Sequence, residues 1–228
     1  MAITTCIFDA YGTLFDVSAA ARRAAEEPGR EGFRAQRDAL SATWRTKQIE
    51  YTWHRQITGR HADFRQVTED ALDYAMESVG LRDTALRARL MELYADLDAY
   101  PEVPDVLRRL KDAGRLTAIL SNGTPEMLER ATASAGIGDL LDAALSVEEI
   151  GVYKPDARVY AMVTDRWGLR PEEVLFVSSN GWDIAGAALT GFRTAWVNRA
   201  GQPVERLPGK PDDVVDDLTA IPALAGAA

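Results

Sequence analysis

Two nearly uninterrupted apolar runs, Leu116-Thr117-Ala118-Ile119-Leu120 and Val174-Leu175-Phe176-Val177, constrain the architecture of this chain more than any other feature of its sequence. A strand reads this way when both of its faces are covered, and sheets covered on both faces are as a rule parallel, with helices between their strands. The intervening sequence agrees. Val103 to Ala113 has a helical pattern closed by Gly114, Thr124 can cap a helix from Pro125 to Ser134, and Asp156 to Trp167 reads as another. Ala143 to Val147 supplies a further short strand, Ile184 to Leu189 a helix of small residues, and Thr194 to Val197 with Val214-Val215 two edge strands. The first strand is at the N-terminus, where Thr4-Thr5-Cys6-Ile7-Phe8 ends in Asp9 and Gly12 then lets the backbone turn sharply. The pattern is that of an α/β chain with a Rossmann-like parallel sheet flanked by helices.

Between the first strand and the rest lies a stretch of different texture. From Val17 to about Asp98 the chain is dense in Ala, Arg, Glu, Gln and Leu, and Gly29, Gly32, Gly59 and Gly80 punctuate it. It reads as an all-helical insertion. Residues 17–98 would form this cap, and residues 1–16 with 99–228 the sheet-containing core. Within the insertion, Arg45, Ile49, Trp53 and Ile57 recur at helical spacing between Ser41 and Ile57, which places an arginine in line with an apolar stripe. Such an arginine either snorkels to water from the edge of the stripe or anchors an anion in a closed pocket. Phe64 to Val79 and Thr84 to Leu97 read as two more amphipathic helices, and His54 and His61 are too isolated for a metal pair.

Charge narrows the partners. With 26 basic and 35 acidic residues the net charge is −9, which repels nucleic acid and anionic membrane surfaces, so an anionic substrate must be held by local cations. The single cysteine, Cys6, lies in the first strand and rules out an internal disulfide. No run of about 18 apolar residues and no signal-like N-terminus is present, which leads to the expectation of a cytoplasmic protein.

The strand ends carry the chemistry. Asp9, Ser121-Asn122, Lys154 and the group Ser178, Asn180 and Asp183 each follow a strand. Taken singly they are ordinary turn and cap residues, and Lys154 beside Pro155 is equally a solvated loop lysine. With right-handed crossovers, however, the carboxyl ends of parallel strands share one edge, so these groups converge on one crevice. There Asp9 could serve as nucleophile, base or metal ligand.

These segments resemble a known family. Asp9-Ala10-Tyr11-Gly12-Thr13-Leu14, the strand into Ser121-Asn122-Gly123, Lys154-Pro155 and Ser178-Ser179-Asn180-Gly181-Trp182-Asp183 are similar to the four motifs of the haloacid dehalogenase superfamily. WRTKQIEYTW, residues 44–53, resembles the cap helix of its L-2-haloacid dehalogenases. The resemblance implies hydrolysis of short (S)-2-haloacids to (R)-2-hydroxyacids with inversion, through an ester on Asp9. It further implies that Thr13 supports the nucleophile loop, that Arg45 and Asn122 receive the halide, and that Tyr11 and Trp182 line the apolar wall around it. Ser121 and Lys154 would hold the substrate carboxylate and the charge near Asp9. Ser178, Asn180 and Asp183 would position and activate water, with Tyr160 as a further group of the site. Substrate and water are then the only partners needed, with no cofactor, no metal, and a possible homodimer through the cap helices.

A phosphatase of the same superfamily is the main alternative, and a non-catalytic relative is another. Phosphatases of this kind carry an acid two residues after the nucleophile and a magnesium-binding acid in the fourth motif. Tyr11 and Ser179 occupy those two places here. A hard cation needs several oxygen ligands, whereas a halide needs no proton to leave, so both replacements favour carbon–halogen cleavage.

Overall fold

The computed structural model of the protein describes residues 2–227. Among these residues a six-stranded sheet forms, every neighbouring pair parallel, in the order β3-β2-β1-β4-β5-β6. The strands are β1 (Thr5–Phe8), β2 (Leu116–Ser121), β3 (Ala143–Ser146), β4 (Val174–Ser178), β5 (Arg193–Val197) and β6 (Asp213–Val215). All of β1 and β4 is buried, as their unbroken apolar sequences require. In this order the crossovers run one way from β1 through β2 to β3 and then reverse to β4, and a crevice opens where they part. Phe8 stands level with Ile119 on β2 and Val177 on β4. Asp9 therefore leaves the sheet at the switch point, its N–H bonded to Val177 O at 2.9 Å.

Between β1 and the remainder of the sheet come α1 (Ala19–Glu26), α2 (Glu31–Arg34), α3 (Arg37–Thr58), α4 (Phe64–Ser78) and α5 (Thr84–Ala95). Helices α6 (Val103–Asp112), α7 (Pro125–Ser134), α8 (Ala157–Trp167), α9 (Gly181–Ala188) and α10 (Ile221–Leu224) follow. Several starts are chemically marked: Asp63, Asp83, Thr124 and Asp156 accept backbone N–H groups from the first turns of α4, α5, α7 and α8. The chain crosses from sheet to insertion and back on adjacent segments. Asp16 N donates to Asp98 O at 3.0 Å and Tyr100 N to Leu14 O at 2.9 Å.

The structure departs from the sequence expectations in four places. The buried residues of α3 are Leu40, Trp44, Gln48 and Thr52, not the row through Arg45, and Ile57 is 85% exposed. Trp44 Nε1 donates to Thr68 O at 2.9 Å and Gln48 Nε2 to Thr68 Oγ1 at 2.7 Å, so hydrogen bonds to α4 allow polar side chains on the packed face. Gly32 lies inside α2 rather than between helices. β5 is an interior strand, flanked by β4 and β6, and the edges are β3 and β6. Helix α9 begins at Gly181, three residues before Ile184, and takes Asp183 into its first turn. Cys6 packs as expected: it is fully buried, and burial pushes its thiol up to about 12.

Candidate active site

The crevice is assembled from backbone outward. Gly12 adopts φ 90°, in the left-handed region, and its N–H bonds to Phe15 O at 2.8 Å, so the chain after Asp9 folds back over the end of β1. That turn brings Thr13 Oγ1 to 3.0 Å from Asp9 Oδ2, and Ser179 N donates to the same hydroxyl at 2.8 Å. Thr13 thus touches Asp9 directly instead of only bracing the loop behind it.

Asn180 stands at the N-cap position of α9, yet its side chain does not cap the helix. Nδ2 donates to Asp9 Oδ2 at 2.9 Å, and Oδ1 accepts from Arg45 at 3.1 Å. The side chain joins the nucleophile loop to α3. Arg45 also donates to Tyr11 O at 3.0 Å and to Gln48 Oε1 at 3.4 Å. All three partners are neutral, which leaves its charge uncompensated by hydrogen-bonded carboxylates.

Lys154 is the electrostatic centre. Its Nζ lies 3.2 Å from Asp9 Oδ1 and 2.9 Å from Asp183 Oδ2, with Phe176 beneath it at 5.0 Å. Burial would push the ammonium down, but Asp183 and then Asp9 reverse this and hold it above its ordinary 10.5. It remains charged. Burial raises the Asp183 carboxyl above its ordinary 3.8; the Lys154 charge works against this and the Asp9 charge adds to it. Tyr160 donates to Asp183 Oδ1 at 2.7 Å, and burial keeps its hydroxyl protonated well above 10. Its approach requires Gly186, since a Cβ there would meet the Tyr160 oxygen at 2.5 Å and Pro155 Cβ at 2.7 Å.

The remaining groups are aimed by local bonds. Asn122 Oδ1 accepts from Lys154 N at 3.0 Å, so its amide donors are free to face the crevice. Ser121 Oγ accepts from Gly123 N and Ser178 Oγ from Asn180 N, each at 3.1 Å, and both hydroxyl protons remain for another acceptor. Asp9, Tyr11, Arg45, Ser121, Asn122, Asn180 and Trp182 line one cavity, whereas Lys154, Tyr160, Ser178 and Asp183 stand behind it. Its free space is about 20 Å³ for the centre of a water-sized sphere, room for about one water. A three-carbon acid therefore enters only if the walls part. A larger groove of about 960 Å³ lies on the other side of Arg45, among α1, α3 and Ala200.

Sequence reasoning missed Ile49 as a lining residue, along with Thr52 and Phe64, which complete the apolar wall. It also missed Tyr94, stacked on Tyr11 at 5.5 Å, and Gln48, bonded to Tyr94 at 3.1 Å. Ile49 was on the highlighted stripe; the others carried no signal, because aromatic and polar residues in amphipathic helices are ordinary core and surface features.

The arrangement sets a hydrogen-bonded carboxylate beside a buried ammonium in a nearly closed cavity, opposite a guanidinium able to receive an anion. Comparison with known proteins bears on which anion. Residues 3–191 match a family model described as haloacid dehalogenase-like hydrolase. The chain is 48% identical over 204 residues to (S)-2-haloacid dehalogenase 1 of a Pseudomonas species, covering 89% of this chain and 88% of that one. A crystal structure of a dehalogenase superposes with a TM-score of 0.92 at 43% identity, over 97% of this chain and 96% of that one. L-2-haloacid dehalogenase from Xanthobacter autotrophicus, solved with chloropropionic acid covalently bound, superposes with a TM-score of 0.88 at 37% identity over 98% of each chain.

Proposed function

The chain belongs to the haloacid dehalogenase-like hydrolases, and from that premise we propose that it hydrolyses short-chain (S)-2-haloacids to (R)-2-hydroxyacids through an ester on Asp9. The observation that carries this reading is the Asp9 carboxylate, held by Lys154, Thr13 and Asn180 and facing Arg45, whose partners are all neutral. Oδ2 accepts two hydrogen bonds and Oδ1 one, so Oδ1 is the oxygen with more freedom to attack C2. As the C–O bond forms, the carbon–halogen bond breaks, and the halide departs toward Arg45 and the Asn122 amide. Tyr11 and Trp182 exclude water around it. The free hydroxyl protons of Ser121 and Ser178 are donors for the substrate carboxylate and the incoming water.

Asp183 then serves as the base. Two of its lone pairs accept from Lys154 and Tyr160, a carboxylate retains others, and its raised pKa strengthens it as a proton acceptor. Water activated there attacks the Asp9 carboxyl carbon and releases the hydroxyacid. No metal is assigned a role, because the place between the two carboxylates is taken by Lys154 Nζ, 3.2 and 2.9 Å away. Residues 17–98 are taken as the cap and residues 1–16 with 99–228 as the core, on the ground that both crossings run side by side at Asp16 and Asp98. A homodimer through the cap is supported by Ile57, 85% exposed, and Tyr74, 46% exposed; a cytoplasmic location is supported by the unpaired Cys6.

Incubation with 2-chloropropionate tests the reading. Chloride should be released at the same rate before and after dialysis against a chelator, with no hydrolysis of an aryl phosphate in magnesium. Phosphate release that disappears with the chelator would favour the phosphatase. Arg45→Ala should lower kcat/KM by well over tenfold, a barrier increase above about 1.4 kcal/mol, because halide charge develops in the transition state. A smaller change would remove Arg45 as halide acceptor.

A further inference from the structure

We propose that Arg199 is a positioning residue for the nucleophile loop, acting through Thr13. It lies on the loop that follows β5, beyond the residues 3–191 matched by the family model. That loop is itself held: Asn198 N donates to Val215 O at 2.8 Å, and Asn198 and Gln202 exchange two bonds of 2.8 Å. From this base the guanidinium reaches both crossings between sheet and insertion. It lies 2.6 Å from Glu102 Oε1 and 3.8 Å from the centre of the Tyr100 ring on the returning segment, and donates to Thr13 O at 3.4 Å on the outgoing one.

The three contacts differ in strength. The Glu102 ion pair, in which Oε1 accepts no hydrogen bond, and the Tyr100 stack are both close and lie on an arginine side chain only 22% exposed, so charge attraction and stacking hold the guanidinium. The longer bond to Thr13 O then acts as a stop on that peptide. What it stops matters, because the Thr13 hydroxyl donates to Asp9 Oδ2 and accepts from Ser179 N. A shift of the Thr13 backbone therefore rotates the attacking carboxylate, while Ser121 and Asn122 keep their bonds from Gly123 N and Lys154 N, outside the nucleophile loop, and Arg45 keeps Asn180 and Gln48 as partners besides Tyr11 O. Loss of Arg199 should spoil the alignment of attack and spare substrate binding.

This inference rests on Asp9 being the nucleophile. The test is steady-state halide release by Arg199→Ala, Arg199→Lys, Thr13→Ala and the Arg199→Ala/Thr13→Ala pair, with thermal melts alongside. Arg199→Ala should lose about tenfold in kcat with KM changed less than about twofold. Lysine keeps a charge for Glu102 but not the planar fork, so Arg199→Lys should recover only part of the loss. In the Thr13→Ala background, removing Arg199 should cost nothing further, since the route it acts through is gone. An unchanged kcat in Arg199→Ala, or in Arg199→Lys should the alanine variant not fold, overturns the proposal. So does additivity of the two substitutions, or a loss confined to KM. An active Asp9→Ala enzyme would instead remove the premise, and that result is separate from all of these.

Discussion

Purified Asp9→Ala should release no halide from 2-chloropropionate above the uncatalysed rate, yet melt at or above the temperature of the native enzyme. The first half follows from covalent catalysis: the ester forms on the Asp9 carboxylate, and alanine puts no nucleophilic atom in its place. The second half follows from charge. Asp9 and Asp183 share one ammonium, so the buried group carries a net negative charge that Asp9→Ala removes, while Lys154 keeps Asp183 at 2.9 Å. A site arranged for reaction is often less stable than its inactive variant. Halide release persisting in the variant would sink the assignment, and a steep fall in melting temperature would show that Asp9 is mainly structural.

Lys154→Met should damage both activity and stability. It leaves Asp9 and Asp183, both buried, facing each other without a cation. Breaking a buried ion pair from one side costs about 3–5 kcal/mol, which for a chain of this size lowers the melting temperature by roughly 6–20 °C. The loss depends on pH. Asp183 already has a folded pKa raised above 3.8, and removing Lys154, which lowers it, raises it further. A carboxyl that binds its proton more tightly when folded gives stability that is full below its unfolded pKa and is lost as pH climbs through the folded one. The gap between variant and native enzyme should therefore be smaller at pH 5 than at pH 8 in paired thermal melts. An equal gap at both values would mean that lost packing, not exposed charge repulsion, explains the damage.

How much of this was legible before the structure depends on the kind of signal each residue gave. Asp9, Ser121, Asn122, Lys154, Ser178, Asn180 and Asp183 follow apolar strands, and parallel topology brings strand ends together whatever the details of packing. The sheet and the crevice could be read for that reason. Helix α3 was harder because its packed face carries Gln48 and Thr52, whose polarity is satisfied by bonds such as Gln48 to Thr68. Hydrophobic periodicity instead highlighted the adjacent row through Arg45, Ile49 and Trp53, two of whose members, Arg45 and Ile49, line the cavity. The start of α9 was misplaced because Gly181 and Trp182 have little helix preference and Asn180 spends its side chain on Asp9 and Arg45. The sequence shows both Thr194 to Val197 and Val214-Val215 as short strands but carries no strand order, so only the structure shows that β6 covers β5 and that β5 is interior. Gln48 and Tyr94 reach the site from the helices of the insertion, and Arg199 reaches Thr13 O from the loop after β5, contacts that no local pattern announces.

The central claim is that the oxygen of the product comes first from Asp9. Enzyme in excess over (S)-2-chloropropionate, allowed a single turnover in heavy-oxygen water, separates the two possible routes. If water attacks the Asp9 carboxyl carbon, the bond from that carbon to the substrate oxygen breaks, the label stays on Asp9, and the (R)-lactate formed carries unlabelled oxygen. Mass analysis of the peptide containing Asp9 should show the added mass, and the product should show none. Labelled lactate from that first turnover, with Asp9 unchanged, would mean that water displaced the halide directly, and the covalent account would be wrong.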